Sequence, residues 1–325
     1  MQHLHDIFKD YTKFGEKQTY DGMTVFPILA VKQSPVRYLN LKQALSMNLI
    51  TITEVSEGGS VPNLKVINQA DLPVLLLDGE EIAGAKQNRI LNATVLVREK
   101  SETIIPVSCT ERGRWSYNNS HFEESGNVIN AKIRSQKMQD VTSFMKVDGS
   151  FKSDQGKIWS EIDKMADCLL VRSDTDALAD VYQATQGSIE DYIAHFPCGQ
   201  DQVGIAVCIE NKMVGLDCLS SPEIWKDMHE KLIKSYAIDC LNIRLKTADC
   251  NIGAVHDFLN KFTQCLPQIF PSVGYGEDFR FESPELIGSG LFWQESIIHL
   301  ALYARIKQEY DTPYHSPRSR YQNLR

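Results

Sequence analysis

The chain has 325 residues, of which 42% are apolar and 23% are charged. These proportions exclude a collagen-like, low-complexity or disordered protein and leave a globular one with enough chain for a large core. The formal net charge of −8 argues against a duplex nucleic-acid partner, because binding along a phosphate backbone requires a basic face.

The start of the chain and its cysteines favour a cytoplasmic location. Residues 1–25 carry charges throughout and lack the apolar core of a secretory signal. The apolar runs at 25–31 and 74–77 are far shorter than the roughly 20 residues that a membrane-spanning helix needs. The eight cysteines include no CxxC pair, so we expect most of them to be reduced thiols in the core rather than part of a disulfide framework. We therefore predict a cytoplasmic protein that does not insert into a membrane.

Short apolar runs separated by turn signals predict a β-rich first part, residues 19–122. Gly58-Gly59 and Asp78-Gly79 are among the turn signals, and only Tyr38 to Met47 has a helical pattern. The predicted strands are 25–31, 49–55, 64–68, 74–77, 90–97 and 103–110.

The middle part, residues 123–200, is predicted to be helical. One helix carries an apolar stripe with spacings of four, three and four residues. A second covers residues 188–196, because Pro197 would end it. The stripe consists of Ile158, Ile162, Met165 and Leu169.

The last part, residues 201–310, is predicted to begin with a β-hairpin. Residues 202–219 read as two strands that turn at Asn211-Lys212. A helix then follows at once, with either of two caps. The caps are Ser221 with Pro222 in the first turn, or Ser220 with Glu223 three residues on.

A further helix at about 251–266 and strands over 274–303 complete this part, with a turn predicted at Gly288-Ser289-Gly290. Residues 311–325 contain few aliphatic side chains and predict a flexible tail. The whole pattern predicts an α+β fold. Because β-rich segments occur near both ends, we expect one large unit over residues 1–310.

Two segments are more polar than their strand context requires, namely residues 78–92 and 106–115. If residues 103–111 are extended, Cys109 and Glu111 share one face just beyond the core. We therefore predict a concave polar site at one end of a sheet.

The residue types in these segments suit an anionic ligand. Arginine binds phosphate or carboxylate through two parallel hydrogen bonds, an indole can stack on a base, and amides can orient ribose groups. Carboxylates in a poorly solvated pocket can act as general acid or base. The predicted binding residues are Lys86, Gln87, Asn88, Arg89, Asn92, Arg114 and Trp115, and the predicted catalytic residues are Glu80, Glu81, Glu111 and Cys109. The alternative is a charge network that neutralises itself on a hairpin.

Cys109 and Asp217 have open alternatives of their own. A nucleophilic Cys109 needs a base such as His121, since no histidine lies between residues 6 and 120; otherwise it is a buried thiol. Asp217 is predicted to bind ligand, or else to pair locally beneath a helix. With the predicted turn it lies beside small side chains, which are Gly204, Ala206, Cys208 and Gly215.

No motif indicates a P-loop, a dinucleotide fold, a zincin, an α/β-hydrolase or a calcium loop, and no cysteines or histidines have zinc spacing. The sequence therefore carries no metal signature, and the cofactor stays unknown.

The stretches PVLLLDGEEIAGAKQNRILN at 73–92 and IPVSCTERGRW at 105–115 resemble the hallmark motifs of one family. It is the domain family named for its association with ADP-ribosylglycohydrolases and with rhodanese-phosphatase proteins. Weaker similarity at 204–219 and 274–290 extends the resemblance over about 20–305.

The resemblance implies a link to NAD and ADP-ribose metabolism without an established reaction. We therefore expect a domain that binds an ADP-ribose-like or other phosphorylated nucleotide. If the domain is an enzyme, we expect it to process this ligand as a hydrolase. The alternatives are a non-catalytic ligand- or protein-binding module that uses the same pocket, and a scaffold in which the motif charges only pair with one another. The sequence does not indicate an oligomeric state.

Overall fold

Helices and strands both make up large parts of the structure, which confirms the α+β prediction. The computed structural model describes residues 3–32, 34–56, 58–117, 119–243 and 249–305. The predicted tail at 311–325 lies outside these residues. The helices are α1 (His3–Tyr11), α2 (Leu41–Ser46), α3 (Ala131–Asp148), α4 (Gln155–Cys168), α5 (Leu178–Ala184), α6 (Gln186–His195), α7 (Pro222–Cys240) and α8 (Ile252–Gln264). The strands are β1 (Thr12–Phe14), β2 (Gln18–Tyr20), β3 (Met23–Ala30), β4 (Leu39–Asn40), β5 (Ile50–Glu54), β6 (Asn63–Asn68), β7 (Val74–Leu76), β8 (Glu80–Gly84), β9 (Arg89–Leu91), β10 (Val95–Val97), β11 (Ser101–Cys109), β12 (Phe122–Val128), β13 (Gln202–Ile209), β14 (Lys212–Leu219), β15 (Gln268–Pro271), β16 (Glu277–Glu282), β17 (Leu286–Trp293) and β18 (Ser296–Ala304).

Strands from both ends of the chain share one nine-stranded antiparallel sheet. Its order is β1-β3-β13-β14-β18-β17-β16-β15, and β2 pairs with β3. The apolar stripe of α7, which includes Trp225 and Met228, packs on one face in a large core cluster. Phe258 and Phe262 of α8 pack in a second cluster with the opposite face. Burial of large side chains on both faces stabilises this sheet.

A second sheet carries both polar segments. Its order is β12-β8-β9-β11-β6-β5, and the strands at its two ends, β12 and β5, also contact each other. The sheet therefore curls, which brings side chains of β5, β9 and β11 together. A small sheet, β10-β7-β4, lies beside it. The predicted strand at 90–97 is thus two strands in different sheets.

The prediction of an entirely helical middle part is wrong at its start, where β12 covers Phe122–Val128. The two predicted helices there are confirmed as α4 and α6. The sequence pattern did not reveal α3, because its inward face carries charges: Arg134 and Lys137 are buried. Apolar periodicity cannot identify a helix whose buried positions are charged.

The β13–β14 hairpin turns one residue earlier than predicted. Glu210 and Asn211 form the turn, with φ values of 47° and 63°. The ladder register also shifts between Val207 and Cys208, where β14 carries one extra residue, and such a shift moves the side chains beyond it to the other face. Asp217 therefore lies opposite Ile205 and shares its face, so the predicted floor of Gly204, Ala206 and Cys208 is wrong. The helix after the hairpin begins as the first alternative predicts, with Ser221 accepting a hydrogen bond from the Ile224 N–H.

Two further expectations differ from the structure. Gly288-Ser289-Gly290 lies inside β17 rather than in a turn. Glycine occurs at position 288 because a Cβ there would lie only 2.5 Å from the Leu302 Cδ2 atom. Cys208 and Cys250 form a disulfide, whereas the other six cysteines are free, so most of the cysteines are reduced as expected. The predicted helix at 38–47 is shorter, because Asn40 caps it by accepting a hydrogen bond from the Gln43 N–H.

Among the described residues, no helix combines the length and apolar character that crossing a membrane would require.

Candidate functional site

Three buried side chains meet at one end of the curled sheet. Arg89 and Cys109 lie directly opposite each other on β9 and β11, and Glu54 approaches from β5, with its Oε1 atom 3.9 Å from the Arg89 Nη2 atom. The motifs identified Arg89 and Cys109 but not Glu54. Its signal was present, because ITITE alternates and Glu54 occupies an inward position of that pattern.

The Arg89 guanidinium is only partly bonded. Its Nη1 donates to Gln87 Oε1 at 3.2 Å and to the Asn88 carbonyl at 3.4 Å. Within the described residues, Nε and Nη2 have no hydrogen-bond partner, and neither does Oε1 of Glu54. Each unpaired buried polar group costs about 1–3 kcal/mol, so such groups require an explanation such as a bound water, ion or ligand.

Trp115 covers this pair from the solvent side. Its ring lies 5.7 Å from the Arg89 Cζ atom, and 49% of the residue is exposed. Lys86 lies 5.5 Å from the same ring and donates to the Gly58 carbonyl at 2.8 Å. Gly59 has a φ of 78°, and a Cβ there would meet Lys86, Glu54 and Trp115 at 3.2–3.4 Å. The loop at Gly59 thus forms a close wall of the site.

The Cys109 thiol is not activated. Burial raises its pKa to about 11, although the neighbouring Arg89 charge acts in the opposite direction. Gln155 holds the Cys109 backbone by two hydrogen bonds of 2.7 and 2.8 Å. His121 is exposed and contacts Ser120, so it does not supply the base. The geometry favours the buried-thiol alternative.

Arg114 is committed to the protein. It donates to both oxygens of Glu111 at 2.9 and 2.6 Å and to the carbonyls of Ala85 and Ser116 at 2.7 and 2.9 Å. Burial opposes ionisation of Glu111, but the hydrogen bonds from Arg114 and from the Asn88 N–H outweigh it and lower the pKa of Glu111. Arg114 therefore stabilises this loop, and its guanidinium is already hydrogen-bonded within the protein rather than available to an anion.

Glu80 and Glu81 point to opposite faces of β8 and do not form a pair. Glu80 accepts from Lys231 of α7 at 2.6 Å. Glu81 accepts from the Thr110 hydroxyl at 2.8 Å and from Asn127 at 3.3 Å, and burial raises its pKa. Glu81 and Glu111 nevertheless interact electrostatically, with their pKa values moved in opposite directions.

The predicted amides hold loops together. Asn88 Oδ1 accepts from the Gly84 N–H at 3.2 Å and from Arg114 at 3.3 Å. Asn92 donates to the Phe151 carbonyl at 3.0 Å and accepts from Ser108 at 2.8 Å. Of the predicted amides, Gln87 is the one whose side chain contacts the Arg89 guanidinium.

Asp217 belongs to a different cluster beneath α3 and α7. Arg134 donates to its two oxygens at 2.9 and 2.7 Å, Tyr236 donates at 2.7 Å, and the His299 Nε2 atom lies 3.3 Å away. Burial opposes ionisation, but Arg134 and His299 hold the pKa of Asp217 well below its usual range. These contacts correspond to the alternative of local pairing.

A cavity of about 970 Å³ lies elsewhere, between α3, α4, α7 and β14, and none of the predicted site residues lines it. Across the described part of the chain, no group of three or more His, Cys, Asp and Glu side chains could hold a metal ion.

The molecule is thus an α+β protein in which a buried arginine, with two nitrogens that have no hydrogen-bond partner, lies beneath a tryptophan at the end of a curled antiparallel sheet. The model of the ARG and Rhodanese-Phosphatase-superfamily-associated Protein domain, ARPP-1, matches residues 11–303. The chain belongs to this family, which confirms the resemblance. The family's name links the domain to ADP-ribosylglycohydrolases (ARG) and so to an ADP-ribose context. No curated protein and no solved structure matches the chain.

Proposed function

We propose that this protein binds an ADP-ribose-like or other phosphorylated nucleotide, in the cytoplasm, at the site formed by Glu54, Arg89 and Trp115. The observation that carries the proposal is the unpaired edge of the Arg89 guanidinium. Its Nε–H and Nη2–H lie on one edge of a planar group, which is the fork that matches two oxygens of a phosphate. The family's ADP-ribose context supports this class of ligand.

The surroundings of Arg89 suit the rest of a nucleotide. An exposed indole offers a stacking surface for a base, and Lys86 adds positive charge beside that ring. Because the unpaired Arg89 atoms are closed off from solvent, the ligand reaches them only when Trp115 moves. Binding should therefore change the fluorescence of Trp115. Duplex nucleic acid and membranes are not partners under this proposal.

Thermal shift and calorimetry with ADP-ribose, NAD and AMP test the proposal. At least one of these ligands should raise the melting temperature of the wild type, since a ligand that binds only the folded state stabilises it. Arg89→Met should weaken binding by roughly 10- to 100-fold, as expected for lost hydrogen bonds to a charged group. The control is Arg112→Met, because Arg112 is half-exposed and pairs with Asp163 and Asp176.

Two results would overturn the proposal. One is a wild-type protein that none of the three ligands stabilises. The other is an Arg89→Met variant that binds as tightly as the wild type while its fold is intact. The fluorescence change should vanish in Trp115→Phe, which separates this residue from the three other tryptophans.

Turnover of the ligand is a second candidate function, favoured by Glu111, whose Oε2 atom accepts at 3.2 Å from the N–H of Asn88, the neighbour of Arg89. Hydrogen bonds from Arg114 and Asn88 lower the pKa of Glu111, so it is ionised and can act as a general base, whereas Glu81 lies opposite Ile90 and faces away from Arg89. Under this function Glu111→Gln abolishes product formation while binding persists, and the exposed control Glu123→Gln does not. A ligand that stays chemically unchanged for hours with the wild type contradicts turnover and leaves the binding function in place.

A further inference from the structure

A carboxylate lies beside the unpaired edge of Arg89 without closing onto it. The gap of 3.9 Å between the Glu54 Oε1 and Arg89 Nη2 atoms is too long for a hydrogen bond. In the neighbouring pair, Glu111 and Arg114 approach to 2.6 Å. The second Glu54 oxygen is held at 3.5 Å by the Ser60 N–H, and the Gly59 wall lies against it. The fold therefore holds Glu54 beside the arginine fork as a separate negative charge.

This negative charge discriminates between anions. A phosphate whose oxygens occupy the Arg89 fork would lie beside the Glu54 carboxylate, because Oε1 of Glu54 is 3.9 Å from the Nη2 atom of that fork. At that distance, and in a poorly solvated site, each negative charge on the ligand is repelled appreciably. A phosphomonoester carries nearly two charges above pH 7, whereas each phosphoryl group of a diester or a pyrophosphate bridge carries one. The monoester therefore meets about twice the repulsion from Glu54, which offsets the added attraction of its second charge to Arg89 and leaves the larger cost of desolvating a dianion uncompensated.

We propose that Glu54 makes the Arg89 site selective for singly charged phosphoryl groups, as in a phosphodiester or a pyrophosphate bridge, over a terminal phosphomonoester. The inference rests on the proposed function and narrows its ligand class. It assigns Glu54 the role of a specificity residue. It also predicts that the nucleotide binds by an internal phosphoryl group rather than by a free end.

Two ligands that differ only in this charge provide the test. AMP and its methyl phosphodiester share the base and the ribose but carry about two charges and one charge at pH 8. By calorimetry, the wild type should bind the methyl ester at least about tenfold more tightly than AMP. Glu54→Gln should reduce the ratio below about threefold, because AMP gains affinity while the methyl ester changes little. Glu102→Gln, an exposed glutamate on β11, should leave the ratio unchanged.

The outcomes separate this inference from the proposed function. Equal binding of the two ligands by the wild type, or tighter binding of AMP, overturns the inference, even where Arg89→Met abolishes both. An unchanged ratio in a folded Glu54→Gln variant also overturns it. The wild-type comparison needs no variant, so a Glu54→Gln protein that fails to fold does not remove the test. If neither these ligands nor ADP-ribose bind the wild type, the proposed function itself fails and the inference with it.

Discussion

Two of the buried arginine–carboxylate pairs of this protein, Arg134–Asp217 and Arg89–Glu54, differ in how they are bonded. Each oxygen of Asp217 accepts from Arg134 and contacts one further side chain, and Arg134 leaves Nε unpartnered. Arg89 leaves both Nε and Nη2 unpartnered, and Glu54 lies 3.9 Å away. The first pair is completed by the fold. The second pair has polar atoms without hydrogen-bond partners beneath Trp115, where a ligand could bond to them. For this reason it marks the candidate site.

Removal of the closed pair should have the largest effect. Asp217→Ala leaves the Arg134 charge buried without its partner, so we expect a loss of about 3–5 kcal/mol in the free energy of unfolding. Urea denaturation measures it. Asp163→Ala is the control, because its pair with Arg112 is exposed and should contribute about 1 kcal/mol or less. A loss in Asp217→Ala no larger than in this control would show that the closed pair is not structural.

The pH dependence of the closed pair should follow from its lowered pKa. A carboxylate with a lowered pKa stabilises the fold above its unfolded pKa, about 3.9 for aspartate, and this stabilisation is lost as the pH falls toward the folded pKa. The difference in unfolding free energy between the wild type and Asp217→Asn should therefore be constant from pH 5 to 8 and shrink below about pH 4. A difference that persists undiminished to pH 2.5 would contradict a role for the ionised group.

The open pair should contribute less to stability. Arg89→Met keeps the apolar stem and removes the two long Nη1 hydrogen bonds together with two nitrogens that have no hydrogen-bond partner, so we expect a change of about 1 kcal/mol in the free energy of unfolding. The same urea measurement applies. A loss as large as that of Asp217→Ala would mean that Arg89 is bonded in solution, and would end the contrast between the two pairs.

The Cys109 thiol, which lies beside the Arg89–Glu54 pair, should react with alkylating reagents more slowly than an exposed thiol. With a pKa of about 11, only about 0.1% of Cys109 is thiolate at pH 8. Iodoacetamide should therefore label the exposed Cys168 first and reach Cys109 only in denaturant, as peptide mass spectrometry can follow. Labelling of native Cys109 as fast as Cys168 would restore the nucleophile hypothesis.

Local patterns predicted those elements whose buried positions are apolar. The stripe beginning at Ile158 identified α4, and Ser221 identified the start of α7. The same reasoning failed for α3, because Arg134 and Lys137 occupy its inward positions. It also misassigned the face of Asp217, since the hairpin register shifts by one residue between Val207 and Cys208 and this inverts the side chains of β14 relative to those of β13 beyond that point.

The positions of the residues at the candidate site were predicted in part. The motifs located Arg89, Cys109 and Trp115 at the end of a sheet, as the structure has them. They could not indicate that the guanidinium of Arg114 is hydrogen-bonded to Glu111 and nearby carbonyls. They also could not indicate that part of the Arg89 guanidinium has no hydrogen-bond partner. Glu54 lies outside both motifs and reaches the site only because the sheet curls.

The sequence by itself determined the fold class, most of the strands and the family, because alternation, helical periodicity and two long motifs are local properties of the chain. Only the tertiary structure decided which charges pair and which remain open. Arg134 meets a carboxylate 83 residues away, and Arg89 meets Glu54 across separate strands of a curled sheet. Which charges pair depends on how closely the elements that carry them pack against one another, and no local pattern of the sequence encodes that packing.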